Sequence, residues 1–270
     1  MNTIIFIAIF SIGIVFGSFF TLAVYRIPRK EDIVHVRSHC TTCNHRLDFW
    51  DLIPIFSYLF LRGKCRYCGD KIRIRYFLLE VLSGIVFLSM AYTRGITYNS
   101  DIISFINLAF IYLFIAGTFI IAGIDKEKKI IPNGLVIYGL IVGIIYTIFK
   151  IAIGKNIVSN LTGLLLIPLL LLLINIIAKN IFKSENKLPF GMGDIKYISI
   201  IGLFAGFGIQ LLTIFLAIII IGVNYLLSSK MREDKEIKLG FYLSLAINVL
   251  LIMQPYIVDI INSIELMLII

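Results

Sequence analysis

The sequence predicts an all-α polytopic membrane protein with about eight transmembrane helices and one small cytosolic domain between the first two. Three observations carry this. Of 270 residues, 59% are hydrophobic and only 15% charged, against about 25% charged in a soluble globule. Apolar runs near the roughly 20 residues that cross a bilayer recur along the whole chain. The cations are also distributed unevenly between the connecting segments.

The spans read as 3–24, 76–92, 102–124, 134–149, 157–178, 195–207, 209–228 and 240–261. With the N-terminus outside, the cytosolic segments are 25–75, 124–133, 179–196 and 229–239, and they hold 22 of the 25 Lys and Arg. Only Arg94, Lys150 and Lys155 fall on the other side. Positive residues stay in the cytosol, so this split sets the orientation and an even number of spans. It also makes the net charge of +9 a topology signal, assisted by anionic lipid, rather than a mark of nucleic-acid binding. The first span lacks a positive n-region and is followed by Arg26, Arg29 and Lys30, the order of an uncleaved anchor. The sixth is short, ends beside Gly208, and suits a re-entrant or broken helix lining a cavity. The chain thus divides into a first helix (1–24), a cytosolic domain (25–75) and a membrane domain (76–270).

All four cysteines lie in the cytosolic domain, as Cys40-x-x-Cys43 and Cys65-x-x-Cys68. Two such knuckles wrap a tetrahedral metal, and thiolates select zinc. Binding would fold a segment too small to build its own core. Disulfides are disfavoured on a reducing face, and a redox pair needs only one Cys-x-x-Cys. Nucleophilic chemistry stays open because His35, His39 and His45 are near in sequence. The stretch 51–58 reads either as the core of this domain or as an amphipathic piece on the membrane surface.

Two carboxylates have unusual settings. Asp125 stands at the cytosolic end of the third span. Asp194 opens the sixth within Gly191-Met192-Gly193-Asp194. Ionisable groups at membrane depth are costly and point to function. The glycines leave the backbone bare for close approach by another chain. If the two meet, one keeps a proton while the other stays ionised, as an aspartic protease requires. For Asp125 alone, a surface ion pair with Lys126, Lys128 or Lys129 is the plainer reading. A transporter using both aspartates for protons or cations is the alternative, although midplane charges and repeats are not seen. A zinc adaptor without catalysis leaves the Gly-x-Gly-Asp element unexplained.

The chain resembles the bacterial type IV prepilin peptidases, also called leader peptidase/N-methyltransferases, membrane aspartic proteases of the GxGD type. The motifs run nearly end to end and in order. They are GSFFTLAVYRIP (17–28, with Thr21 where the family usually has Asn), SHCTTC (38–43), DLIP (51–54), LRGKCRYCG (61–69), Arg75, Tyr76 and Glu80, Asp125 ahead of Pro132, and GMGDIK (191–196). The resemblance implies that Asp125 and Asp194 cleave prepilins or pseudopilins after the leader glycine, at the cytosolic face of the bacterial cytoplasmic membrane. Gly191, Gly193 and Lys196 would meet the substrate. It further implies N-methylation of the new terminus with S-adenosylmethionine, to which Arg26, Gly63 and Glu80 would contribute, and a zinc-bearing cytosolic domain. It names neither the pilins cut nor the oligomeric state.

Overall fold

The computed structural model describes residues 2–182, 189–228 and 237–269. Lys183, Lys187, Lys230, Arg232 and Lys235, which the sequence reading assigns to the cytosolic side, lie outside these. The helices are α1 (Asn2–Arg26), the short α2 (Phe56–Phe60), α3 (Arg75–Thr93), α4 (Ile102–Lys128), α5 (Asn133–Ala152), α6 (Val158–Phe182), α7 (Met192–Ala205), α8 (Phe207–Leu227) and α9 (Leu239–Ile269). Among the described residues, seven helices are long and apolar enough to cross a membrane. The remaining long-range element, α7, has 14 residues and rises only about 21 Å.

The chain divides into two compact units, Met1–Leu108 and Ala109–Ile270. In the first, α1 packs on α3 through small residues. A Cβ added at Gly13 would lie 2.8 Å from the Gly84 Cα, and one at Gly17 would lie 2.7 Å from the Glu80 Cα. Ser83 Oγ donates to the Gly13 carbonyl at 2.6 Å. Without a hydrophobic drive between helices in lipid, this close backbone approach and its hydrogen bond hold the pair together.

In the second unit, α7 packs against α5, α6, α8 and α9. Its side chains Ile195, Tyr197, Ile198, Ile200, Ile201, Leu203 and Phe204 are buried. A helix apolar all round belongs inside protein, and a short span is tolerated there. The crossing with α6 is backbone on backbone, since a Cβ at Gly163 would lie 2.8 Å from the Gly202 carbonyl oxygen. Buried Gln210 donates to the carbonyls of Gly163 and Ile198, both at 2.9 Å. The break after this short helix falls at Gly206, not at Gly208, which lies within α8. Gly206 has φ +88°, a conformation open to glycine, and the next N–H, of Phe207, is capped by Ser159 Oγ at 3.0 Å.

Candidate active site and metal centre

Asp125 sits three residues before the end of α4 and is 4% exposed. Its Oδ2 accepts the backbone N–H of Phe241 at 2.9 Å, in the first turn of α9. That turn has no intrahelical partners for its N–H groups, and its dipole favours an anion. The unfavourable C-terminal end of α4 is therefore answered by the favourable start of α9. Lys238 and Lys129 lie within coulombic reach of the carboxylate, whereas the Lys126 ammonium sits 5.0 Å from the Phe241 ring centroid. The surface ion-pair reading does not describe a side chain so buried.

Asp194 is the third residue of α7, with Gly191 as its N-cap, and is half-buried. Its Oδ2 lies over Gly191, where an added Cβ would stand 2.8 Å away. Ile131 stands against both Gly193, next to Asp194, and Gly240, next to Asp125, so α4, α7 and α9 bring the two aspartates to one neighbourhood. A Cβ at Gly193 would lie 3.3 Å from the Ile131 Cβ, and one at Gly240 would lie 3.0 Å from its Cδ1 and 3.2 Å from the Asp125 Cγ. Lys196 is exposed and donates to Asn133 Oδ1 at 3.1 Å, tying α7 to the start of α5.

Sequence reading missed the groups that hold this site. Asn175 grips the strap before Gly191 from both sides, donating to the Phe190 carbonyl at 2.9 Å and accepting its N–H at 3.1 Å. One turn below Asp194, the Tyr197 hydroxyl meets Ser244 Oγ at 2.8 Å, and Ser244 donates to the Gly240 carbonyl at 2.8 Å. Asn248 continues the column, donating to Thr118 Oγ1 at 2.8 Å and to the Ser244 carbonyl at 2.7 Å. Asn175 and Asn248 were legible only as polar residues in apolar spans, for which helix-to-helix bonding is the ordinary role. Gly240 carried no signal beyond its position at a span edge.

In the first unit the Sγ atoms of Cys40, Cys43, Cys65 and Cys68 all lie within 4.8 Å of one another, with Cys40 and Cys68 at 3.9 Å. A tetrahedral zinc with bonds of about 2.3 Å has S–S edges of about 3.8 Å, so the cluster fits that ion. Each knuckle uses the same turn. Asn44 N–H bonds the Cys40 carbonyl and Gly69 N–H the Cys65 carbonyl, both at 2.9 Å, with φ of 56° and 74° at Asn44 and Gly69. The bridges His39–Arg46 and Lys64–Lys71 flank the two turns alike. Burial opposes the Cys40 thiolate, but N–H groups of Cys43 and Thr42 and the neighbouring thiols outweigh it, bringing Cys40 down to about 7. At Cys68 the Asp70 N–H favours the thiolate, yet desolvation and the other three thiols prevail and push it up to about 12. The histidines face elsewhere: His35 bonds Asp32 at 2.8 Å, His39 reaches the Arg37 carbonyl, and His45 packs on Tyr67.

A cavity of about 780 Å³ opens beside this cluster, lined in part by Tyr25, Arg26, Asp51, Tyr58, Tyr76 and Glu80. Arg26, 3% exposed, donates to the carbonyls of Asp32, Val36 and Arg37 at 2.8, 2.7 and 3.3 Å. Glu80 accepts the Ile55 N–H at 2.7 Å and a hydrogen bond from Ser18. Gly63 does not line the cavity. It has φ +67°, and a Cβ there would stand 2.9 Å from the Tyr58 hydroxyl, so its bareness makes room for a side chain that does.

The helical fold, with two carboxylates gathered at helix ends and a four-thiol module beside the first pair of spans, defines a polytopic membrane protein of distinct class. Residues 11–94 match the model of the bacterial peptidase A24 N-terminal domain, and residues 112–227 that of the type IV leader peptidase family. The chain belongs to the type IV leader peptidase family. It is 26% identical over 265 residues to a prepilin leader peptidase/N-methyltransferase of Pseudomonas putida, covering 87% of this chain and 86% of that one. The protein of the same description from Dichelobacter nodosus is 28% identical over 270 residues, with 90% and 89% covered. That of Bacillus subtilis is 35% identical over 132 residues, about half of each chain. No solved structure matches the chain with significance.

Proposed function

We propose that this protein is a prepilin leader peptidase that also N-methylates its product. It works in the bacterial cytoplasmic membrane with its N-terminus outside and its active site at the cytosolic face. The observation that carries the reading is that Asp125, against Gly240, and Asp194, against Gly191 and next to Gly193, flank one shared neighbour, Ile131. Like charges in a partly dry site favour a shared proton. The ionised carboxylate takes a proton from water as that water attacks the scissile carbonyl, and the protonated one gives its proton to the departing amine. A prepilin or pseudopilin, a membrane helix with a basic cytosolic leader, meets such a site at the bilayer edge. Its extended backbone passes close to Gly191 and Gly193, and Lys196 stands at the approach.

The second activity belongs to the cavity of the first unit. S-adenosylmethionine, when bound there, supplies an electrophilic methyl group. Glu80 offers a carboxylate toward the amine to be methylated, while Arg26 and Gly63 set the shape of the wall. Zinc held by Cys40, Cys43, Cys65 and Cys68 keeps the module folded. The catalytic aspartates thus fall in 76–270 and the metal in 25–75. Neither the family nor the relatives support a transporter.

The test is mass spectrometry of a prepilin incubated with membranes carrying this chain and S-adenosylmethionine. The reading expects a pilin shortened at its leader glycine and heavier by one methyl group. An uncut prepilin contradicts the peptidase, and a cut but unmethylated one contradicts the second activity.

A further inference from the structure

The segment between the two cysteine pairs is the most apolar surface of the cytosolic module, and it faces outward. Phe49 is 75% exposed, Trp50 68% and Phe60 83%, and Phe56 and Leu59 are also exposed. A groove lined by Trp50, Ile53, Phe56 and Phe60 runs among them. These residues are therefore not the core of the zinc module, and on a water-facing loop such a patch is costly.

Its position explains it. Ile55 N–H is held by Glu80 at 2.7 Å, and Tyr58 stacks on Phe77 with ring centroids 5.2 Å apart. Both partners belong to the spanning helix α3, and Glu80 lies five residues, about 7.5 Å, inside its cytosolic end. The chain thus leaves the thiol cluster, runs back along α3 to membrane depth, and returns. The return begins directly after Phe60, at Arg62 (φ 51°) and Gly63 (φ 67°). Exposed Arg62 and Lys64 stand there, placed to reach lipid phosphates with their charged ends while their stems cover apolar surface.

We infer that residues 49–60 are a membrane-dipping element. Phe49, Trp50, Phe56, Leu59 and Phe60 are buried in the headgroup–acyl boundary of the same bilayer that α1 and α3 cross. Aromatic residues favour that boundary, and apolar faces resting in it reach about 5–10 Å deep. The element fixes the height of the zinc module and its cavity over the membrane. The inference stands whichever reaction the cavity supports.

Trp50 is the only tryptophan of the chain, so the wild-type protein reports on its own element. The experiment places the full chain in lipid nanodiscs and compares quenching of Trp50 emission by lipids brominated near the headgroup, by lipids brominated near the chain ends, and by aqueous iodide. The Trp50→Phe variant supplies the blank. The element predicts blue-shifted emission that falls by about half or more with the shallow bromines, less with the deep ones, and little with iodide. Strong iodide quenching with no effect of bromine would show the patch in water and overturn the inference. Shielding from both quenchers would mean that protein covers the patch, a second copy included, and would overturn it as well.

Discussion

The Asp125 carboxylate accepts the N–H of Phe241 at 2.9 Å, so the end of α4 is capped on the start of α9 and one aspartate is oriented by a helix more than a hundred residues away. Gly240 makes this possible, because a Cβ there would stand 3.2 Å from the Asp125 Cγ and 3.0 Å from Ile131. Gly240→Val therefore displaces the carboxylate or the helix start. Overpacking of this kind costs about 1–3 kcal/mol. Cleavage should fall by about tenfold or more in a membrane assay while zinc content is unchanged. Wild-type cleavage in this variant would show that the Asp125 position tolerates movement.

Asn175 holds the strap that delivers Gly191 and Asp194. Asn175→Ala removes both hydrogen bonds to the half-buried Phe190 backbone, at a cost of about 0.5–1.5 kcal/mol each. Cleavage should weaken, and protease nicking near residue 190 should quicken. An unchanged nicking rate would mean that the strap is held by other contacts.

Much of this was legible in the sequence. Apolar runs located the seven helices long enough to cross a membrane, because bilayer thickness acts on composition alone, while the eighth run, 195–207, became the short buried α7. The cysteine spacing gave the thiol cluster, since a metal imposes its geometry locally. Asp125 and Asp194 stood out as charges where charge is costly. What the sequence did not disclose depends on three-dimensional neighbours. Gly206 and Gly208 are two residues apart, and only the Ser159 contact selects the first as the break. Nothing near Gly240 announces that it faces Asp125. The aromatic residues of 49–60 read equally as core or as surface until the Ile55 and Tyr58 contacts with α3 are known.

Zinc affinity should rise with pH. Bound metal needs thiolates, so protons compete with it. Cys68, pushed up to about 12, holds a proton at neutral pH that zinc must displace. Cys40, at about 7, adds a further competing proton as the pH falls through that value. The affinity should therefore drop more steeply below about pH 7 than above it, measured by competition with a coloured chelator. A pH-independent affinity would contradict thiolate ligation. Cys65→Ser should lose the metal yet keep measurable cleavage, which an adaptor role would not allow.

Glu80→Gln keeps the size of the side chain and its bond from Ile55 while removing the charge. It should leave leader cleavage near wild type and abolish methylation of the product, read as the mass of the pilin N-terminus. Loss of both activities together would make Glu80 a support of the fold instead.

The most direct test of the central claim is prepilin cleavage in membranes carrying wild type, Asp125→Asn or Asp194→Asn at matched protein levels. Asparagine preserves size but supplies neither acid nor base. The account predicts a loss of more than about a hundredfold in both variants with zinc content retained. Cleavage surviving in either one would contradict the dyad.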